Sequence, residues 1–279
     1  MGQYKMNIIS FISILGLLFL VSCKHDCRVI KEYYESSNEK EVFVYPNCND
    51  TTYYKRIHFY ENGQMSSEGY FKNGKKIGKF KSWAKNGNQT ADWEVLDGKE
   101  NGFIQCWYNN GTKKRETTLD RGIDNGNFKE WYENGEPSCE GNYVKGKKDG
   151  TWKYWEENGT VKIRNYKNDT LNGLTTEYLI DSISIKFVYG QYLNGKEVGL
   201  WKWFDKDSVL YQTAIMIDGK YTGEFIEYYK DKKVKSKGNL IDSNYEGDVT
   251  YYDEEGNITN TELYKNGKLQ HNKKNYSMR

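Results

Sequence analysis

The chemically able side chains of this 279-residue chain are few and scattered. Its three histidines are His25, His58 and His271, and none has a cysteine or serine partner at a familiar catalytic spacing. Nucleophilic catalysis wants a base beside the nucleophile, most often histidine. The five cysteines, Cys23, Cys27, Cys48, Cys106 and Cys139, form no CxxC pair and suggest no zinc site. Carboxylate doublets such as Glu156-Glu157 and Glu254-Glu255 flank turns, whereas glycoside hydrolysis needs two carboxyls converging across a sugar. Asn-x-Thr triplets at 88–90, 110–112 and 158–160 coincide with turns and need no glycan to explain them. No phosphate loop occurs, so no catalytic residue, metal or cofactor is expected. The remaining candidates are large aromatics, with Trp107, Trp131, Trp155 and Trp201 as possible anchors of a binding face.

Composition narrows the partner. With 41 basic against 39 acidic residues, the chain lacks the basic excess of a nucleic-acid binder. Aromatics make up 16% of it, against a scarcity of aliphatics, so disorder is excluded and any core must be built from Tyr, Trp and Phe.

The first 22 residues read as an address. Lys5 precedes an apolar run from Ile8 to Val21 that suits a signal-peptide core better than a span of ~20 apolar residues. Leu20-Val21-Ser22-Cys23 resembles the lipobox of bacterial lipoproteins, which implies cleavage before Cys23 and lipid attachment to it. Lys24 follows instead of Asp, so the expected location is the cell envelope, membrane-anchored and in the outer membrane. Residues 23–53 are expected to be a tether and lead-in. Cys27 and Cys48 lie there, in a disulfide-permissive compartment; their spacing leaves the bridge open.

Glycines at 78, 102, 126, 150, 173, 199, 223 and 247 recur at intervals of 24, 24, 24, 23, 26, 24 and 24. Stepping back from Gly78 to Tyr54 gives nine units over 54–270, leaving a tail of 271–279. The third position of a unit is usually large and apolar (Phe80, Ile104, Phe128, Trp152, Trp201). The sixth is aromatic in every unit, from Phe59 and Trp83 through Trp107, Trp131 and Trp155 to Tyr252. A turn pair follows at the ninth and tenth positions, as in Asn62-Gly63, which predicts a type I′ hairpin turn. A second turn closes most units, as at Asn73-Gly74.

Two turns per period leave two strand-length segments, so each unit is one β-hairpin and the fold is all-β: an elongated, single-layer antiparallel meander of about 18 strands and ~85 Å. Positions three and six lie three apart, which calls for either a bulge between them or aromatics on both faces. Stability must come from rings stacking between neighbouring units.

The series Gly-x-Trp/Phe-x-x-Trp/Tyr-x-x-Asn-Gly, clearest at Gly126–Gly135 and Gly150–Gly159, resembles the bacterial variant of the MORN repeat. The resemblance implies a hairpin scaffold without catalysis that binds proteins or membranes; such proteins are often labelled antitoxins. The leading expectation is a non-enzymatic, membrane-tethered scaffold binding another envelope protein. The alternatives are a carbohydrate or peptidoglycan binder and an immunity-type protein neutralising a toxin.

Overall fold

The computed structural model describes residues 27–180 and 185–274. The segment expected as a signal peptide, the expected lipidation site Cys23 and residues 275–279 lie outside them.

All described elements are strands of one open antiparallel sheet in which each strand pairs with its neighbours in sequence. The lead hairpin is β1 (Cys27–Tyr33) and β2 (Glu39–Tyr45). Nine repeat hairpins follow. The first four are β3 (Tyr53–Phe59) with β4 (Met65–Lys72), β5 (Lys75–Trp83) with β6 (Gln89–Leu96), β7 (Lys99–Trp107) with β8 (Lys113–Asp120), and β9 (Ile123–Trp131) with β10 (Pro137–Val144). The fifth has a split first strand, β11 (Lys147–Lys148) and β12 (Gly150–Trp155), with β13 (Thr160–Lys167). Then come β14 (Thr170–Ile180) with β15 (Ile185–Leu193), β16 (Lys196–Phe204) with β17 (Leu210–Ile217), β18 (Lys220–Tyr228) with β19 (Val234–Ile241), and β20 (Asn244–Tyr252) with β21 (Ile258–Lys265). β22 (Lys268–Lys274) ends the sheet.

The nine units of the 24-residue period thus correspond to nine hairpins. Two expected boundaries move. The segment 23–53, expected as a tether, carries the β1–β2 hairpin, and β2 pairs with β3 through Glu41 to Val44. A continuous run, Val42-Phe43-Val44-Tyr45, puts apolar side chains on both faces of β2, with Val42 and Tyr45 buried. At the other end β22 runs past residue 270, because β21 would otherwise expose its ladder groups. Cys27 and Cys48 are joined by a disulfide, with Cα atoms 5.3 Å apart.

The two turns of each unit differ, and the expected type I′ geometry belongs to the second. At Asn73-Gly74 both residues have positive φ, 51° and 73°. At Asn62-Gly63 only Gly63 does, at 80°. There Gly63 N–H donates to the Tyr60 carbonyl at 2.9 Å and Tyr60 N–H to the Gln64 carbonyl at 2.7 Å, a three-residue loop closed by a left-handed glycine. Asn62 is selected for its side chain, whose Oδ1 accepts the Gln64 N–H at 3.1 Å.

Each recurrent glycine opens a bulge. Gly69 and Tyr70 are adjacent on β4, yet their partners Phe80 and Ile77 are three apart on β5, so Gly78 and Lys79 are surplus there. The eight unit-opening glycines all have positive φ, from 65° to 130°, and at Gly78 a Cβ would meet nothing within 4 Å. Backbone conformation is what requires glycine there.

The core is a file of third-position side chains along one face, called the inner face: Phe80, Ile104, Phe128, Trp152, Trp201, Phe225 and Val249, all at most 9% exposed. Neighbouring rings fill the gaps, as Tyr54–Phe71 at 5.5 Å, Phe71–Phe80 at 5.6 Å and Phe80–Trp93 at 5.5 Å.

Candidate functional site: the outer aromatic row

The strand carrying positions three and six is regular between them; the register irregularity lies on its partner. Ser82 pairs with Ala91 and Trp83 with Gln89, so the surplus residue is Thr90 on β6. Side chains alternate along a regular strand, so sixth-position aromatics point away from the core, onto the outer face. Of the two ways to reconcile a spacing of three, the sheet uses rings on both faces.

Trp107, Trp131 and Trp155 are therefore outer-face residues, and all three are half-buried. Lysines cover two of them: Lys113 Nζ is 5.2 Å from the Trp131 ring and Lys153 Nζ is 4.6 Å from the Trp155 ring. Trp201 does not belong with them. It occupies a third position, is 7% exposed, and lies where Gly190 leaves room, a Cβ there falling 2.2 Å from the indole. The outer residue of that unit is Phe204, which position within the repeat could have identified.

Register shows how these side chains line up. Trp155 pairs with Val161, Val161 with Tyr178, Tyr178 with Phe187, Phe187 with Phe204 and Phe204 with Leu210. Directly opposed residues share a face, so six strands carry one apolar row. The Phe187 and Phe204 rings stack at 3.8 Å. Towards the amino terminus the partners are polar: Trp83 faces Gln89 and Trp107 faces Lys113. There the outer face is also crossed by Lys81–Asp92 at 3.5 Å, Gln105–Glu116 at 2.9 Å and Lys129–Glu140 at 3.7 Å. Beyond them Leu174 and Leu200, at the second position of their units, are each half exposed, with Leu200 opposite Ile215, whereas Glu224 and Asp248 hold that position in the last two units. The apolar row of the outer face thus lies in the middle of the sheet, with charged residues to either side.

A ladder that the sequence reading missed ties the first turns together. The tyrosine after the sixth-position aromatic donates its hydroxyl to the backbone carbonyl of the next unit's sixth-position residue. The bonds are Tyr60 to Trp83 at 2.8 Å, Tyr108 to Trp131 at 2.8 Å, Tyr132 to Trp155 at 2.6 Å and Tyr229 to Tyr252 at 2.7 Å. Tyr34 of the lead hairpin reaches Phe59 in the same way at 3.0 Å. The recurrence of Tyr at the seventh position was the available signal. Ala84, Glu156, Leu179, Asp205 and Asp253 replace it in the other five units.

The arrangement nearest to a catalytic one is the cross-strand line Glu41, His58, Ser67. His58 Nε2 lies 3.4 Å from Glu41 Oε1, and burial, then the Arg56 charge, hold its pKa below the ordinary value. Among the described residues no hydrogen bond joins His58 to Ser67, so no base is coupled to a nucleophile. Cys106 and Cys139 are free thiols. Burial, with the Glu130 carboxylate nearby, pushes the Cys139 thiol up to about 11. Among the described residues, no three His, Cys, Asp or Glu side chains gather as a metal site.

No curated protein sequence matches the chain. Among solved structures it is similar, at 9% identity, to a chain of "Crystal Structure of TcdB2-TccC3-TEV", covering 84% of this chain and 15% of that one. The TM-score of 0.21 is too low to speak for a shared fold. The family model described as MORN repeat variant matches residues 55–73, 124–145, 148–168, 221–242 and 245–270. Each segment begins in the first strand of a hairpin, four end in the turn that closes it and the last runs into β22, so five of the chain's hairpins are similar to the MORN repeat variant.

Proposed function

We propose that this protein is a non-enzymatic scaffold, tethered to a membrane of the bacterial cell envelope by lipid on Cys23, whose outer face holds another envelope protein. MORN-type hairpins generally serve protein or membrane-lipid binding, which supports the coarse reading. One observation carries the finer one: the outer row from Trp155 to Leu210 is apolar over six strands, on the face opposite the file of third-position core side chains. Half-buried aromatic rings on a stiff sheet give contact area at little entropic cost. The Cys27–Cys48 disulfide supports an oxidising compartment.

Crosslinking the lipidated protein in its native membrane, followed by identification of the adducts, tests the reading. A specific envelope protein should be recovered from the wild type and lost from a Trp155→Ala, Phe204→Ala variant. Recovery of cell-wall glycan instead would favour a carbohydrate binder. A Cys23→Ser chain that still partitions with membranes would remove the anchor from the proposal.

A further inference from the structure

Five large apolar side chains stand together on the outer face of β14 to β17: Leu174, Tyr189, Leu193, Leu200 and Ile217, each between 37% and 54% exposed. Register makes them neighbours. Tyr189 is opposite Lys202, Leu193 opposite Lys196 and Leu200 opposite Ile215. Leu174 is opposite Gln191, which lies between Tyr189 and Leu193 on the outer side of β15. Three strand spacings of ~4.8 Å gather them into one patch about 15 Å wide. It adjoins the stacked Phe187 and Phe204 rings. Single exposed leucines are ordinary on a protein surface, whereas a contiguous group marks a contact site.

The charge on this part of the outer face has one sign. Among the described residues, the outer strand positions of β13 to β17 carry Lys167, Lys196 and Lys202 and no carboxylate. Outer carboxylates reappear at Glu140 on β10 and Glu224 on β18. The inner face differs, for there Lys162 and Arg164 lie 3.7 and 4.0 Å from Glu177. Lys196 reaches Asp218 of the following turn at 3.6 Å, with both groups exposed. Lys202 is half-buried between Tyr189 and Thr213, and among the described residues no carboxylate comes within ion-pair distance of it. A half-buried ammonium without a counter-ion, set among apolar side chains, is the group that a carboxylate from outside would complete.

We propose that this patch seats an apolar, carboxylate-bearing segment of the protein partner, which covers Leu174, Leu193, Leu200 and Ile217 and sets an Asp or Glu against Lys202. The inference rests on the protein-binding reading above and specifies the chemistry of what that face meets. Apolar burial supplies the affinity, and the lysines supply selectivity by rejecting segments of like charge. An anionic bilayer offers similar chemistry, but the anchor proposed at Cys23 places the bilayer at β1. With β11 and β12 counted as one, β14 lies twelve strands further along the sheet, ~58 Å at ~4.8 Å per strand.

The test uses the full chain and three fluorescent peptides of equal length, read by anisotropy: leucine with glutamate, leucine with lysine, and serine with glutamate. Wild type should bind the leucine–glutamate peptide about tenfold tighter than either of the others. Leu174→Ser/Leu200→Ser/Ile217→Ser should weaken that binding by about tenfold and Lys202→Glu by about fivefold, while Lys202→Arg retains it. Thermal melts confirm that each variant folds. Lys79→Glu, in another unit, should leave binding unchanged. Equal binding of the two leucine peptides, equal loss from Lys202→Glu and Lys79→Glu, or preference for anionic vesicles over the leucine–glutamate peptide would overturn it. So would a dimer in sedimentation that the triple variant dissolves, since a second copy would then be the occupant. If native-membrane crosslinking captures a partner equally well with the triple variant, the protein-binding reading stands and this one fails.

Discussion

A methyl group on Gly141 would lie 2.2 Å from the Trp152 indole, whose Nε1 donates to the Asn142 carbonyl at 3.1 Å. The same ring is 1% exposed, so it has nowhere to retreat. Gly141→Ala should therefore destabilise by about 2–3 kcal/mol through overpacking. Gly78→Ala, where the only obstacle is a φ of 65°, should cost about 1–2 kcal/mol. Chemical denaturation of the two variants checks the order, and adding Trp152→Leu should relieve the first change but not the second. Cys139 gives a pH prediction. Its folded thiol titrates at about 11, above the ordinary value, because burial penalises the thiolate. The stabilisation this represents is complete below the unfolded pKa and is lost as pH rises through about 11. Alkylation of Cys139 in the folded protein should thus be slow at pH 8 relative to the denatured chain, and equal rates would contradict the burial.

At the scale of the element, each hairpin is held by two devices that act between units: ring packing on the inner face and the tyrosine hydroxyl ladder at the first turns. Removing one rung without changing packing isolates the second. Tyr108→Phe should cost about 1 kcal/mol, the net worth of one hydrogen bond, whereas Tyr33→Phe, on the exposed edge strand, should cost almost nothing. Urea titrations of both would show whether the ladder contributes. The lead hairpin has a third device. Its disulfide closes a 21-residue separation, for which loop entropy alone gives about 3 kcal/mol. Cys48→Ser should raise hydrogen exchange in β1 and β2 selectively, since in a repeat sheet each hairpin contacts only its neighbours; a uniform rise along the chain would mean that the sheet unfolds as one unit.

At the scale of the molecule, the described sheet has two free edges, β1 and β22, and an outer face whose apolar row over β12 to β17 is preceded by charged cross-strand pairs. With Cys23 as the proposed anchor, the four steps to Cys27 span no more than ~14 Å. The β1 edge is then held near the bilayer, with the lead hairpin occupying most of the segment 23–53 that the sequence suggested as tether and lead-in. A photoactivatable lipid should label the lead hairpin, at Lys31 and Lys40, well before Lys268; even labelling would contradict a membrane-proximal edge.

The period, the number of repeat hairpins and the strand character of the repeats were legible in the amino-acid sequence, because turn chemistry and glycine recurrence are local properties that need no tertiary contact to be read. Asn-Gly pairs marked the hairpin turn at Gly63 and its equivalents, and the unit-opening glycines marked the bulge at Gly78 and its equivalents. Only the tertiary structure decided which face each ring occupies. That choice depends on where surplus residues fall on the partner strand, so Trp201 and Phe204 look alike in sequence yet lie on opposite sides of the sheet. The Cys27–Cys48 bridge and the tyrosine ladder likewise required knowing which backbone atoms the register brings within reach.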